Sequence, residues 1–137
     1  MSIAFTRFEV EGLQYPHSGI VCGGAEFMES IIDCPFNRPG DLVVFHDLID
    51  ALGESEVHGI NPPDFKVIAD CGKPTEDLLC FFTNEGLQRC KPLINGMLDI
   101  LRRNGAIIDT LHYIADEPID ENIVYQDKYQ AVIYWRD

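Results

Sequence analysis

Basic residues are scarce in this chain: ten Lys and Arg stand against 23 Asp and Glu, which gives a formal net charge of −13 over 137 residues. Such an excess of negative charge repels nucleic acids and anionic membrane surfaces. The same excess favours a basic protein partner and speeds the encounter with it. We therefore expect a basic protein partner, no direct binding of nucleic acid and no membrane association.

From the sequence we expect neither a signal peptide nor a membrane-spanning segment. Residues 1–7 contain no basic stretch followed by an apolar one, which a signal peptide would require. The longest apolar runs, such as Leu78–Phe82, have five residues, far short of the ~20 that cross a bilayer. The five cysteines are odd in number and show no C-x-x-C spacing, which indicates reduced thiols. We predict a cytoplasmic protein.

The apolar content is ordinary, and this argues against disorder. Hydrophobic residues make up 46% of the chain and charged residues 24%, close to the averages for globular proteins. High net charge produces disorder only when hydrophobicity is low. The length suits one domain, so we predict a single globular domain over 1–137.

The C-terminal half has the clearest pattern of secondary structure. Leu78–Phe82 is a short apolar run typical of a buried central strand. Thr83 or Asn84 is placed to cap a long helix over 84–104, in which Pro92 either bends the helix or marks a late start. Further strands are expected over 106–115, 123–126 and 129–135, the last two paired through a turn.

The N-terminal half is less regular. A strand is predicted over Ile3–Val10, with a bulge or strong twist near Thr6 and Arg7. Predicted after it are a short strand over Gly19–Cys22 broken by Gly23 and Gly24, a helix over Ala25–Asp33, a helix capped by Asp41 and ended by Gly53, and a strand over Phe65–Ala69.

Together these elements predict an α+β fold. We expect a mixed, mostly antiparallel sheet of about five strands, with the long helix and one or two shorter helices packed on it. A three-layer α/β sandwich is the alternative. The strand from Tyr129 to Trp135 could lie at an edge and pair with a second copy, so the oligomeric state is predicted as monomer or homodimer.

Metal and phosphate sites are not supported by the motifs. His46 and Asp50 lie four apart and would share a helix face, but two ligands do not complete a site, and an exposed ion pair is the expected arrangement. The run from Gly19 to Gly24 lacks the third glycine of a dinucleotide loop and the Lys of a P-loop. We predict neither a metal nor a cofactor.

A cysteine nucleophile is the one catalytic hypothesis that remains. Cys22 precedes Gly23 and Gly24, whose backbone N–H groups could bind an anion if a helix begins at Ala25. The base would have to be one of four histidines, His17, His46, His58 or His112. A small cysteine-dependent hydrolase or transferase is therefore an alternative function, and no catalytic residue is assigned.

The densest acidic segment is predicted to bind the partner. Six acidic residues and no Lys or Arg occur between Asp109 and Asp127, with tyrosines on the flanking strands. Aromatic side chains supply affinity at binding surfaces, while charges set rate and register. The predicted contact residues are Asp116, Glu117, Asp120, Glu121, Asp127, Tyr125 and Tyr129. The alternative is a solvated acidic loop; the segment does not match a Ca²⁺-binding loop.

Size, charge, aromatic strands and the lack of catalytic signatures make this chain similar to the small acidic immunity proteins that bacteria encode beside their toxins. That resemblance concerns general character and carries over no individual residue. It implies a protein, not an enzyme, that neutralises a nuclease-type toxin by filling its basic cleft. A phage or mobile-element inhibitor that mimics nucleic acid is the alternative binding function, and it would need carboxylates along a longer face.

Overall fold

The computed structural model describes residues 3–13, 17–31, 39–54, 71–74, 77–115 and 120–135. Its elements in chain order are β1 (Ile3–Val10), α1 (Cys22–Ser30), α2 (Pro39–Glu54), β2 (Leu78–Phe82), α3 (Asn84–Arg103), β3 (Ile108–Ala115), β4 (Ile123–Gln126) and β5 (Gln130–Tyr134). All described strands join one antiparallel sheet in the order β3-β1-β2-β5-β4. The predicted α+β class is confirmed.

Both faces of the sheet carry buried apolar side chains. The first cluster joins the three helices to one face through Val10 and Phe82. Among the described residues, the second cluster comes from the strands and Trp135; its buried members are Phe5, Leu79, Phe81, Ala115, Ala131 and Ile133. β2 therefore contributes alternate residues to both clusters, which explains why its sequence is continuously apolar.

Helix α3 begins and ends where local chemistry predicts. The Thr83 hydroxyl accepts a hydrogen bond from the Gly86 N–H at 3.0 Å and donates to the Lys128 carbonyl at 2.6 Å, so one residue caps the helix and fastens it to the β4–β5 turn. Beyond the last turn, Gly105 adopts a φ of 95°, which favours glycine. Pro92 lies within the helix without dividing it.

Of the predicted bulge or strong twist in β1, the bulge is wrong. The register with β3 runs without interruption from Ile3 opposite Ala115 to Val10 opposite Ile108. Simple alternation already places Phe5 on one face and Val10 on the other. β1 does diverge from its other neighbour, because its only paired position with β2 is Thr6 opposite Phe82.

The predicted strand over Gly19–Cys22 is also wrong, and so is the prediction that Gly23 and Gly24 end an element. Gly19 forms a single bridge with Glu9, and α1 begins at Cys22 and runs through both glycines. A Cβ on Gly24 would lie 2.5 Å from the Cζ atom of Phe45, which belongs to α2. The double glycine thus permits close helix packing and does not end an element.

Asp41 does not cap α2, which begins two residues earlier at Pro39. The Asp41 carboxylate instead accepts two hydrogen bonds from the Arg103 guanidinium, at 2.6 and 2.9 Å, and one from the Asn104 side-chain amide at 2.8 Å. This buried carboxylate therefore ties the start of α2 to the end of α3.

The last strand is not an edge. β5 lies between β2 and β4, so the described edge strands are β3 and β4. The predicted strand over Phe65–Ala69 lies outside the described residues. Within the part of the chain that the structure describes, the helices are too short or too polar to cross a membrane.

Candidate functional site: an acidic surface and a thiol-lined cavity

Two of the predicted contact residues flank β4 and take part in hydrogen bonds of the fold. Asp120 precedes this strand and Asp127 follows it. Glu121 is exposed beside Asp120. The structure thus brings three of the predicted carboxylates to one edge of the sheet, while Asp116 and Glu117 lie outside the described residues.

Asp120 orders the approach to β4. Its carboxylate accepts a hydrogen bond from the Tyr113 hydroxyl at 2.6 Å and another from the Asn122 N–H at 2.9 Å. Burial raises the pKa of Tyr113, and the hydrogen bond to Asp120 raises it further. Tyr113 belongs to β3, so this contact links opposite edges of the sheet.

Asp127 closes the β4–β5 turn. One carboxylate oxygen accepts from the backbone N–H groups of Tyr129 and Gln130, each at 2.9 Å, and the other accepts from the Tyr125 hydroxyl at 2.8 Å. Tyr125 and Tyr129 are half-buried. Both predicted aromatic anchors therefore lie beside a carboxylate whose position is fixed by the turn.

Other exposed acids lie on the helices, and one of them, Glu85, pairs with Lys128 of the β4–β5 turn at 3.7 Å. These acids are Glu26, Glu29, Asp47, Asp50, Glu85 and Asp99. At the basic end of α3, Arg103 is bound to Asp41. This ion pair engages one of the two arginines in the last turn of α3, the other being Arg102.

A like-charge contact lies where β1 ends beside β3. The side-chain hydrogen bond from Asp109, followed by its negative charge, raises the pKa of Glu11 above its ordinary value of 4.5. Glu11 also donates its backbone N–H to the Ile107 carbonyl at 2.9 Å. Backbone pairing thus holds two carboxyl groups together although their charges repel.

A polar cluster that the sequence did not predict fills the gap between β1 and β2. The Arg7 guanidinium donates to the Glu9 carboxylate at 2.8 Å, to the Cys80 carbonyl at 3.0 Å and to the His17 carbonyl at 2.6 Å. The side chains of Arg7 and Glu9 are only 12% and 10% exposed. The one sequence signal was an opposite charge pair, two residues apart, on an otherwise apolar strand.

Glu9 also binds the imidazole of His17. The Nδ1 atom of His17 lies 3.1 and 3.2 Å from the two Glu9 carboxylate oxygens. His17 has a φ of 57°, in the left-handed region, where His is more frequent than most residues. The loop before α1 is thereby fastened to the sheet.

This cluster borders a cavity of about 280 Å³. Among the residues that line it are two cysteines, Cys22 and Cys80, together with Arg7 and His17. Cys22 is exposed, whereas Cys80 is half-buried. Burial raises the pKa of Cys80, Arg7 opposes that shift, and Cys22 adds to it, so the two thiols lie within electrostatic reach of each other.

The glycines after Cys22 do not form the expected anion hole. Their N–H groups are used inside the helix: Gly23 donates to the Gly19 carbonyl at 2.8 Å and Gly24 to the Ile20 carbonyl at 3.1 Å. Of the four candidate bases, His17 is the one in the wall of this cavity, and His58 lies outside the described residues.

His46 does not take part in a metal site within the described ranges. Its Nε2 atom lies 3.8 Å from the Glu29 carboxylate of α1, and both side chains are exposed. No group of three or more His, Cys, Asp or Glu with metal-binding geometry occurs among the residues that the structure describes. Comparison with protein-family models, curated proteins and solved structures finds no match to this chain, so its function has to be inferred from these two regions themselves.

Proposed function

We propose that this protein is an inhibitory binding protein, an immunity protein that neutralises a nuclease-type bacterial toxin. The observation that carries the proposal is the acidic edge at β4, where Asp120 and Asp127 are held in place by hydrogen bonds while Glu121 is exposed. Charges fixed before binding lose little conformational entropy when a partner docks.

The contact residues have complementary roles under this proposal. Asp120 and Asp127 accept hydrogen bonds that fix the positions of their carboxylates, so they shape the surface. Glu121, with Asp116 and Glu117, reaches the cations of the toxin cleft. Tyr125 and Tyr129 supply partly exposed aromatic area beside them.

The affinity that an immunity protein requires is high enough for its partner to co-purify with it. An inhibitor that outlasts its toxin needs a nanomolar Kd, about −12 kcal/mol. The first experiment is affinity purification of the tagged protein from its native cell. We expect a basic protein to co-elute and its nuclease activity to be inhibited at one-to-one stoichiometry; a co-eluting protein without such activity would contradict the toxin assignment.

Charge-matched variants then locate the surface. The variant Asp116→Asn/Glu117→Gln/Glu121→Gln leaves Asp120 and Asp127 intact, because those two hold the fold. The control variant removes an equal number of charges from exposed positions of α1 and α2, Glu29→Gln/Asp47→Asn/Asp50→Asn. We expect the association rate at low salt to fall by at least about tenfold in the first variant, and by much less in the control.

The same pair of variants separates the two binding functions. A mimic of nucleic acid would spread its carboxylates over a long face, so both variants would weaken binding to a similar degree. A compact contact surface at β4 predicts a large difference between them. If both variants bind the partner as tightly as the wild type does, the acidic edge at β4 is not the contact surface.

A further inference from the structure

Strand β3 leaves one edge of the sheet open within the part of the chain that the structure describes. Its eight residues pair with β1 along one side, and no described strand lies on the other. A strand edge presents unpaired N–H and C=O groups that can bind another strand. Strand β4, which carries the proposed toxin contact, is at the opposite end of the sheet order, so the edge of β3 is a different surface.

The direction of the backbone groups at this edge follows from one hydrogen bond. The Glu11 N–H donates to the Ile107 carbonyl at 2.9 Å, which continues the register in which Val10 is opposite Ile108. Hydrogen-bonded and non-hydrogen-bonded pairs alternate along an antiparallel ladder, so the odd-numbered residues of β3 bond to β1. The backbone groups of the even-numbered residues point to the open edge; these are Ile108, Thr110, His112 and Ile114.

This edge has few of the features that usually prevent strand pairing, which are charges, proline, bulges and short strands. β3 contains one acidic residue, Asp109, no Lys, Arg or Pro, and an unbroken register with β1. The Asp109 carboxyl is already hydrogen-bonded to Glu11 of the same chain. β4, by comparison, has only four residues and a register shift against β5. Of the two described edges, β3 is therefore the one suited to pairing.

Exposed apolar side chains are concentrated at the same edge. Ile107 and Ile114 are 64% and 58% exposed, and Ile3 of the neighbouring strand is 47% exposed. Among the described residues, the other large apolar side chains with such exposure are Val43 and Val44 of α2. A cluster of this kind marks a surface for association.

We propose that β3 pairs antiparallel with β3 of a second copy of this chain, about a two-fold axis at Leu111. The two five-stranded sheets then form one continuous sheet. Opposite residues of an antiparallel pair lie on the same face, so a two-fold axis perpendicular to the sheet passes through a residue position. With the axis at Leu111, all four even-numbered residues are used, in four pairs of two hydrogen bonds each.

The side chains on the helix-bearing face are compatible in this register. Ile108 is opposite Ile114 of the second copy, and Thr110 is opposite His112, so apolar meets apolar and polar meets polar. An axis at Thr110 would instead place Ile108 opposite His112. An axis at His112 would place Ile114 opposite Thr110. Cross-strand pairing therefore favours Leu111 as the centre.

The other face of the strand pair is compatible as well. Leu111 meets its own copy at the axis, and Ile107 is opposite Ala115 of the second copy. Asp109 is opposite Tyr113, so no two like charges face each other. The exposed Ile107 and Ile114 thus both gain an apolar neighbour on pairing.

The net charge opposes this association and gives it a distinctive salt dependence. Each copy carries a charge of −13, so screening by salt should strengthen the dimer. The same change weakens the binding of a basic partner. One strand pair buries less surface than a standard interface, so we expect a Kd in the micromolar range. The dimer can be measured on the protein alone and does not depend on the proposed toxin binding.

Sedimentation velocity of the full chain under reducing conditions, from about 1 to about 100 µM, is the first test. We expect a dimer whose fraction rises with protein and with salt concentration. Ile114→Lys should weaken it by at least about tenfold, because the lysine would face Ile108. Val43→Lys, which changes an equally exposed apolar residue of α2, is the matched control and should leave the Kd unchanged.

Thr110→Pro tests strand pairing itself. Proline removes an N–H that points to the open edge and leaves the bonds to β1 intact, so it should abolish the dimer while the circular dichroism spectrum is unchanged.

The register is tested by cross-linking in a glutathione redox buffer. The Leu111 positions form a non-hydrogen-bonded pair, with Cα atoms about 4.5 Å apart, which a disulfide can bridge. The two Thr110 positions are offset along the strands and lie beyond the reach of a disulfide, about 7 Å. Leu111→Cys should therefore give a covalent dimer above the wild-type background, and Thr110→Cys should not.

Three results overturn the proposal. A wild-type monomer throughout the concentration and salt series means that the edge does not pair with a second copy; this measurement needs no variant. A dimer that neither Ile114→Lys nor Thr110→Pro weakens is formed by another surface. Equal cross-linking of Leu111→Cys and Thr110→Cys contradicts the axis at Leu111.

Discussion

At the scale of single residues, Arg7 is a charged side chain that the fold buries almost completely and uses to hold separate segments together. Its guanidinium serves three acceptors on three segments, one of them 73 positions away in sequence. A planar group with several N–H donors suits this role, and a lysine would not reproduce it.

Arg7→Met should destabilise the protein by about 3 kcal/mol, because Glu9 is left as a buried carboxylate without its cation and the Cys80 carbonyl loses a donor. Chemical denaturation measures this difference. Lys128→Met is the matched control: its ammonium lies 3.7 Å from Glu85 in a pair more than 60% exposed, so its loss should cost less than about 1 kcal/mol. Equal effects in both variants would contradict the structural role of Arg7.

At the scale of secondary-structure elements, the glycines are where the observed helices differ most from the predicted ones. Gly23 and Gly24 were predicted to end a strand, yet both lie in α1. A Cβ on Gly23 would lie 2.8 Å from the Cβ of Ser18. The close approach of neighbouring segments explains why glycine occupies these two positions, whereas local helix propensity does not.

Two glycines of α3 allow this effect to be measured. A Cβ on Gly86 would overlap the backbone carbonyl of Tyr129, whereas a Cβ on Gly96 would meet the tip of the Leu48 side chain at 3.1 Å. We expect Gly86→Ala to destabilise the protein by about 2 kcal/mol or more through overpacking. Gly96→Ala should be neutral or stabilising by up to about 1 kcal/mol, since alanine has the higher helix propensity.

Thermal denaturation of the two alanine variants checks this prediction. The pair is informative because both substitutions are identical and lie in the same helix. Similar changes in both would mean that propensity outweighs the contact between α3 and the β4–β5 turn.

At the scale of the whole molecule, the charge of −13 separates into carboxylates with internal roles and carboxylates that face solvent. Asp41 binds the end of α3, while Asp120 and Asp127 order the ends of β4. The exposed acids among the described residues repel one another, which lowers stability at neutral pH.

The Glu11–Asp109 contact makes this repulsion measurable. The folded protein raises the pKa of Glu11, so it binds the proton more tightly than the unfolded chain does. The associated stability is present below about pH 4.5 and is lost as the pH rises through the raised value. Asp109→Asn should therefore raise the Tm at pH 7 and change it little at pH 4.

The control for this pH experiment is Asp47→Asn, which removes one exposed charge from α2. Its effect on the Tm at pH 7 should be smaller than that of Asp109→Asn. An equal increase in both variants would show that net charge, and not the contact between β1 and β3, sets the pH dependence.

The sequence by itself determined the elements of the C-terminal half. Alternating or continuous runs of apolar residues, the Thr83 cap and Gly105 are local signals. They correctly predicted β2, α3 and the strands that follow. Composition also identified the acidic segment. These features depend on neighbours a few positions apart, which the printed sequence shows directly.

Only the tertiary structure decided which group each charged side chain meets. Asp41 finds its cation 62 positions away, and Arg7 finds the Cys80 carbonyl 73 positions away. Cys22 and His17 share a cavity because β1 diverges from β2, which no local pattern encodes. Electrostatic partners and cavities depend on how segments pack, so they become visible only when distant parts of the chain are in contact.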